Sequence, residues 1–187
     1  GQLLAEQGFQ AIGVNAIARK AGVDKVLIYR YFDGLPKLLE SYGRSSNFWP
    51  STDEVLGDQT ALRQLSAGQR MQVILERLVC GLQARPQTLA IMAWELSQQN
   101  ALTNTLAEIR EKWGIDVLQQ ATCDLVQEQR DISAIANFLV AGVQYLLIRS
   151  GNTEHYGGIS LQTEQGWSRW QKAITALCHA IDATAAT

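Results

Sequence analysis

The chain has 187 residues, of which 47% are apolar and 18% charged, with a net charge of −2. That length suits one domain, or a small domain joined to a larger one, and the composition excludes disordered and fibrous classes. The near-neutral balance argues against a nonspecific polyanion binder. The three scattered cysteines, Cys80, Cys123 and Cys178, argue against a disulfide framework and fit a reducing cytosol.

Strand-like alternation is almost absent and helical spacing recurs throughout, so the expected fold is all-α. Gly1 to Gln7 reads as the end of a helix, with Leu3 and Leu4 inward and Gly8 as its stop. The chain opens without Met and already in a helical pattern, which predicts further residues ahead of Gly1 in the natural protein. Val14 to Ala21 reads as a second short helix with Val14, Ile17, Ala18 and Ala21 on one face, ended by Gly22. Asp24 is a good N-cap for a third helix, Lys25 to Tyr31. Pro36 suits the first turn of a fourth, which carries Leu38, Leu39 and Tyr42.

Residues 45–58 are rich in Ser, Pro, Gly and acid, and read as a linker or helix break. The expected division is therefore a small N-terminal domain, residues 1–45, and a larger helical body, residues 46–187. The first 45 residues carry six basic groups against four acidic ones, a basic end on an acidic body. In the body, helices are expected over about 67–84, 86–99 and 101–129. Asp131 is expected to cap an apolar helix ending near Ser150. A glycine-rich loop, 151–158, and a last helix over about 163–183 follow.

The apolar stretch from Ala134 to Ile148 is shorter than the roughly 20 residues of a bilayer span, and reads as a helix covered on every side. The last helix repeats Trp167, Trp170, Ile174, Leu177 and Ile181 near heptad steps. Ala141, Gly142, Ala173 and Ala180 would permit close approach between helices. Together with Leu139, Val143 and Leu146, these helices fit a two-fold four-helix homodimer interface, with an intramolecular core as the competing reading.

"AGVD", residues 21–24, joins the second and third helices as a helix-turn-helix would. The glycine permits the tight turn, Val23 is expected to plug the angle, and the second helix can enter a major groove of double-stranded DNA. Ile28 and Phe32, four apart, would face the core. Val26 or Leu27, with Lys25 and Arg30, would face the bases, and the Tyr29 hydroxyl could bond a phosphate.

The run "GFQAIGVNAIARKAGVDKVLIYRYFDGLPKLLESY" resembles the N-terminal domain of the TetR family of bacterial one-component transcriptional repressors. The match covers Leu3 to about Tyr42 without a gap. The resemblance implies a DNA-binding domain followed by a ligand-binding and dimerisation body that regulates a palindromic operator. It implies phosphate contacts at Lys25 and Tyr29, base reading at Arg30 and Val26, and flanking backbone near Asn15 and Arg19. In this chain Gly13, Val26-Leu27 and Leu35 stand where the family favours Thr or Ser, Gly-Thr and Lys. Lys37 is expected to supply the charge absent at Leu35. These departures open an alternative: a TetR-shaped sensor or interaction protein that does not read DNA.

Met71, Met92, Trp94, Trp113, Phe138 and Tyr145 are the large, adaptable side chains that a pocket for a small, largely apolar effector would use, although helical stripes of aromatics are more often core. An enzyme is not expected. His155 lies in the glycine loop, His179 and Cys178 are helix neighbours that face apart, and no catalytic or phosphate-cradling motif occurs. The cysteines read as small core fillers. No metal and no cofactor is expected, because the thiols are far apart in sequence.

Overall fold

A computed structural model describes residues 1–125 and 132–183. Eleven α-helices are present among them: α1 (Gln2–Gln7), α2 (Val14–Ala21), α3 (Lys25–Phe32), α4 (Leu35–Gly43), α5 (Thr52–Leu56), α6 (Gln59–Arg63), α7 (Ala67–Gln83), α8 (Pro86–Ser97), α9 (Ala101–Thr122), α10 (Ile132–Ser150) and α11 (Glu164–Ala183). A two-residue hairpin, β1 (His155–Tyr156) and β2 (Ile159–Ser160), separates α10 from α11. The all-α expectation is met. The glycine loop expected over 151–158 instead closes into this hairpin, because Gly157 and Gly158 both take positive φ, the turn geometry that matches strand twist.

The chain forms two compact units: Gly1–Trp49 with Arg85–Trp113, and Pro50–Ala84 with the described residues from Gly114 on. In the first, α1 packs on α8. The Trp94 indole donates to the Ala5 carbonyl (3.1 Å), and Gln98 accepts from the Phe9 amide (3.2 Å). Gly8, at φ 70°, leaves room for the Trp94 ring; a Cβ there would come within 2.9 Å of it. Gly43 likewise lets α4 lie against Leu106 and Ile109 of α9.

Residues 45–58 do break the helix between α4 and α5, but they are packed and not a loose linker. Phe48 and Trp49 are buried, the Thr88 hydroxyl donates to the Phe48 carbonyl, and Tyr42 packs on the Phe48 ring at 5.0 Å. Ser51 and Glu54 form a reciprocal capping box that starts α5. Composition misled here, since polar cap residues flank buried aromatics. Short α6, capped by Asp58, was also not legible.

In the second unit α7 is central, with α5, α10 and α11 packed on it. Gly68 lets α11 approach: a Cβ there would stand 2.1 Å from the Cys178 carbonyl oxygen. Arg70 of α7 is buried with all five donors used. They reach the carbonyls of Leu65, Arg63 and Ala121 and both carboxylate oxygens of Asp124 (2.5 and 2.8 Å). The expected helix over 101–129 ends at Thr122, with a turn through Leu125. Its last residues, and the Asp131 cap, lie outside the described residues. Cys178 is buried, but Cys80 and Cys123 are exposed and fill no core.

The Arg70 fork ties the segment before α7 to the end of α9. Arg70→Met should lower stability by about 2–4 kcal/mol, since three carbonyls lose a donor and a buried pair is broken. Thermal unfolding would register this as a fall in Tm of about 2–4 °C per kcal/mol.

Candidate nucleic-acid interface

The geometry of α2 and α3 begins at their ends. Gly13 precedes α2 in extended conformation and gives it no side-chain cap. At the other end Gly22 is left-handed (φ 68°, ψ 28°), and the Val23 amide returns to the Ala18 carbonyl (3.0 Å). This closes α2 and turns the chain at once. Asp24 then caps α3, its carboxylate accepting from the Val26 amide at 2.8 Å. Asp33 ends α3 in the left-handed region (φ 54°), the single non-glycine residue at positive φ among the described residues.

Ile28 is the buried residue of α3, and Phe32 is half-buried at its last position. The other six side chains, Lys25 to Leu27 and Tyr29 to Tyr31, are exposed. Val26 is 61% exposed, and Leu27, Tyr29, Lys25 and Arg30 are exposed too. Asn15 and Arg19 of α2 are exposed as well. Each of these residues expected to meet DNA is thus open to solvent.

Three details differ from expectation. Phe32 is only half-buried where Ile28 is buried, because α3 ends there and the chain turns away at Asp33. Val23 is exposed and plugs nothing; the turn is held by its backbone amide. Ala21 is exposed at the end of α2, with Ala18 alone of that face fully buried. Lys37 pairs with Asp33 (3.0 Å), but both side chains lie in solvent. A pair of that kind contributes about 0–1 kcal/mol, so Lys37 can be drawn to another anion at little cost.

The residues expected around an effector do not share one role. Met71 and Met92 are buried. Trp94 clamps α1, and Trp113 stands edge-on to Trp49 at 5.6 Å. Phe138 is 80% exposed and Tyr145 is exposed against Tyr156, so neither lines an enclosed cavity within the chain. A groove of about 540 Å³ does open in the first unit, between α1, α2 and α4, lined by Leu3, Leu4, Ile17, Leu38 and Tyr42. None of the six expected residues lines it.

The expected dimer residues also divide. Val143, Ile174 and Ile181 are buried within their own chain. Leu139, Trp167 and the neighbouring Val140 are half-buried, and Trp167 donates to the Leu161 carbonyl (2.9 Å). Leu146 and Trp170 are half-buried, and Leu177 is exposed. The heptad pattern of α11 mixed an inward row with an outward one. Helix α10 is long and apolar enough to cross a membrane by length and composition, yet only 28% of its most apolar window is buried. The expectation of a helix covered on every side is not met within one chain. Its open face carries Phe138, Ala141, Gly142 and Tyr145.

Residues 2–42 match the model of bacterial regulatory proteins, tetR family. Among solved structures, the fold is similar to the fatty acid degradation regulator FadR from Bacillus halodurans, at 16% identity and TM-score 0.65, covering 95% of this chain and 92% of that one. It is similar to the TetR family transcriptional regulator PfmR from Thermus thermophilus, at 12% identity and TM-score 0.56, covering 94% and 93%. It is similar also to SCO3833, a TetR family member from Streptomyces coelicolor, at 17% identity and TM-score 0.56, covering 95% and 85%. No curated relative matches the sequence.

The Asp24 cap sets where α3 begins. Asp24→Ala should lower stability by about 1 kcal/mol, while Asp24→Asn should be nearly neutral, because Asn caps as well as Asp. Paired thermal unfolding curves of the two variants check this.

Proposed function

We propose that this chain, whose residues 2–42 match the bacterial regulatory proteins of the tetR family, is a DNA-binding transcriptional regulator, a ligand-responsive repressor that binds a palindromic operator as a homodimer. The observation that carries the reading is the capped, outward-facing α3 behind the Gly22 turn. Its single fully buried residue, Ile28, anchors it, and its other side is free to enter a major groove. Lys25 and Tyr29 would hold phosphates, with Asn15, Arg19 and Lys37 along the flanking backbone. Arg30 would fork onto a guanine, and Val26 with Leu27 would meet thymine methyls.

The dimer reading is supported by the open face of α10. Phe138 and Leu177 (56% exposed) lie in solvent in the single chain. At Gly142, mid-helix, a Cβ would meet nothing within 4 Å. A glycine there costs its helix up to about 1 kcal/mol relative to alanine with no return inside the chain. A second copy's helix crossing close to it supplies the return. Two recognition helices would then read half-sites about 34–36 Å apart.

A small, largely apolar effector bound in the body would shift α4 and change the separation of the two α3 helices. By linkage it would weaken DNA binding by the same factor that DNA weakens its own.

Selection from random duplexes at physiological salt tests the reading. Enrichment of a palindrome supports it; no enriched sequence would favour a TetR-shaped sensor that does not read DNA. With the enriched operator, Arg30→Ala should relax preference at one position of each half-site. Lys25→Ala should weaken all duplexes about equally and reduce the salt slope by about 1. For the dimer, Phe138→Asp should sediment as a monomer at micromolar concentration with its helical content kept. A wild-type monomer under those conditions would overturn the interface.

A further inference from the structure

On α3, Arg30 is followed by Tyr31, whose ring is 69% exposed. The Arg30 guanidinium carbon lies 5.8 Å from the centroid of that ring, within the range of a cation–π contact. Among the described residues no carboxylate pairs with Arg30. The acid next along the chain, Asp33, is taken by Lys37. Among the described residues the Tyr31 ring is therefore the partner of the Arg30 charge. Tyr31 itself has no hydrogen bond of its hydroxyl to the chain among the described residues.

We infer that Tyr31 is a positioning residue for sequence readout, holding the Arg30 guanidinium through the face of its ring, with the hydroxyl dispensable. The inference rests on the reading of α3 as a recognition helix. Its physical basis is entropy. A free arginine samples many rotamers, and a planar fork recognises guanine only when held in the right plane. A ring beside the guanidinium narrows that search before DNA arrives, and costs no desolvated carboxylate to do so. A carboxylate partner would hold Arg30 too, but it would compete with the base and repel the phosphates on either side. An aromatic face does neither.

The test uses the operator duplex enriched by selection and a set differing from it at single positions. Tyr31→Phe should keep the wild-type preference at every position. Tyr31→Ala should reduce discrimination about two- to fivefold, only at the position that Arg30→Ala relaxes. In the Arg30→Ala background, Tyr31→Ala should change nothing further. If Tyr31→Phe and Tyr31→Ala both lose affinity evenly across all duplexes, the hydroxyl holds a phosphate and the inference falls. It falls equally if Tyr31→Ala keeps full discrimination. A wild-type protein that enriches no sequence would instead remove the reading of α3 on which this rests.

Discussion

Two eight-residue helices carry the proposed interface, and neither is long enough to persist alone in water. Their shape depends on how their ends are closed. Gly22 in the left-handed region brings the Val23 amide back to Ala18, and two residues later Asp24 opens α3 by accepting from Val26. Without the first the chain has no reason to turn there. Without the second α3 begins with unmet amides and frays from the end that would meet a groove. Ile28 then anchors the short helix from beneath.

Support for that pair comes from far along the chain. Helix α8 holds α1 through Trp94, and the start of α9 meets α4 at Gly43. Behind them Arg110 forks onto Glu95, with both side chains largely buried, and stacks over Trp49. Burial pushes the Glu95 carboxyl above its ordinary pKa, while Arg110 draws it back down. The pair is retained in the interior because neither charge is left alone there. In the second unit Arg70 plays the corresponding part with every donor engaged.

Much of the N-terminal region was legible because its signals are local. A glycine that must turn, an aspartate that must cap and a proline in a first turn act on neighbours along the chain, and Gly22, Asp24 and Pro36 all stand as read. Signals that depend on distant partners failed. Phe48 and Trp49 lie among Ser, Pro and acidic residues, and nothing nearby announces that Thr88 receives them. The sequence offered Phe138 for an effector pocket and Val143 for a dimer interface, both as large apolar residues of α10. The structure buries Val143 and leaves Phe138 in solvent. Periodicity finds the stripes on a helix but does not say which of them the chain itself covers. Tyr31 was visible as a residue of the motif, yet its contact with Arg30 is a matter of rotamer, which no spacing encodes.

The discontinuity of the first compact unit bears on how such a chain can diverge. The unit joins residues 1–49 to residues 85–113 and leaves α5 through α7 outside it. Trp94 over Gly8 and Leu106 against Gly43 are joints between stretches of sequence separated by all of α5 through α7. A gene rearrangement that exchanged only the codons before α5 would bring in a new partner for each joint and keep the old one. Recombination between distant relatives would therefore yield mismatched interiors, whereas point changes on the solvent side of α3 leave both joints alone. Exposed positions such as Val26 and Leu27 can therefore vary while both joints stay intact.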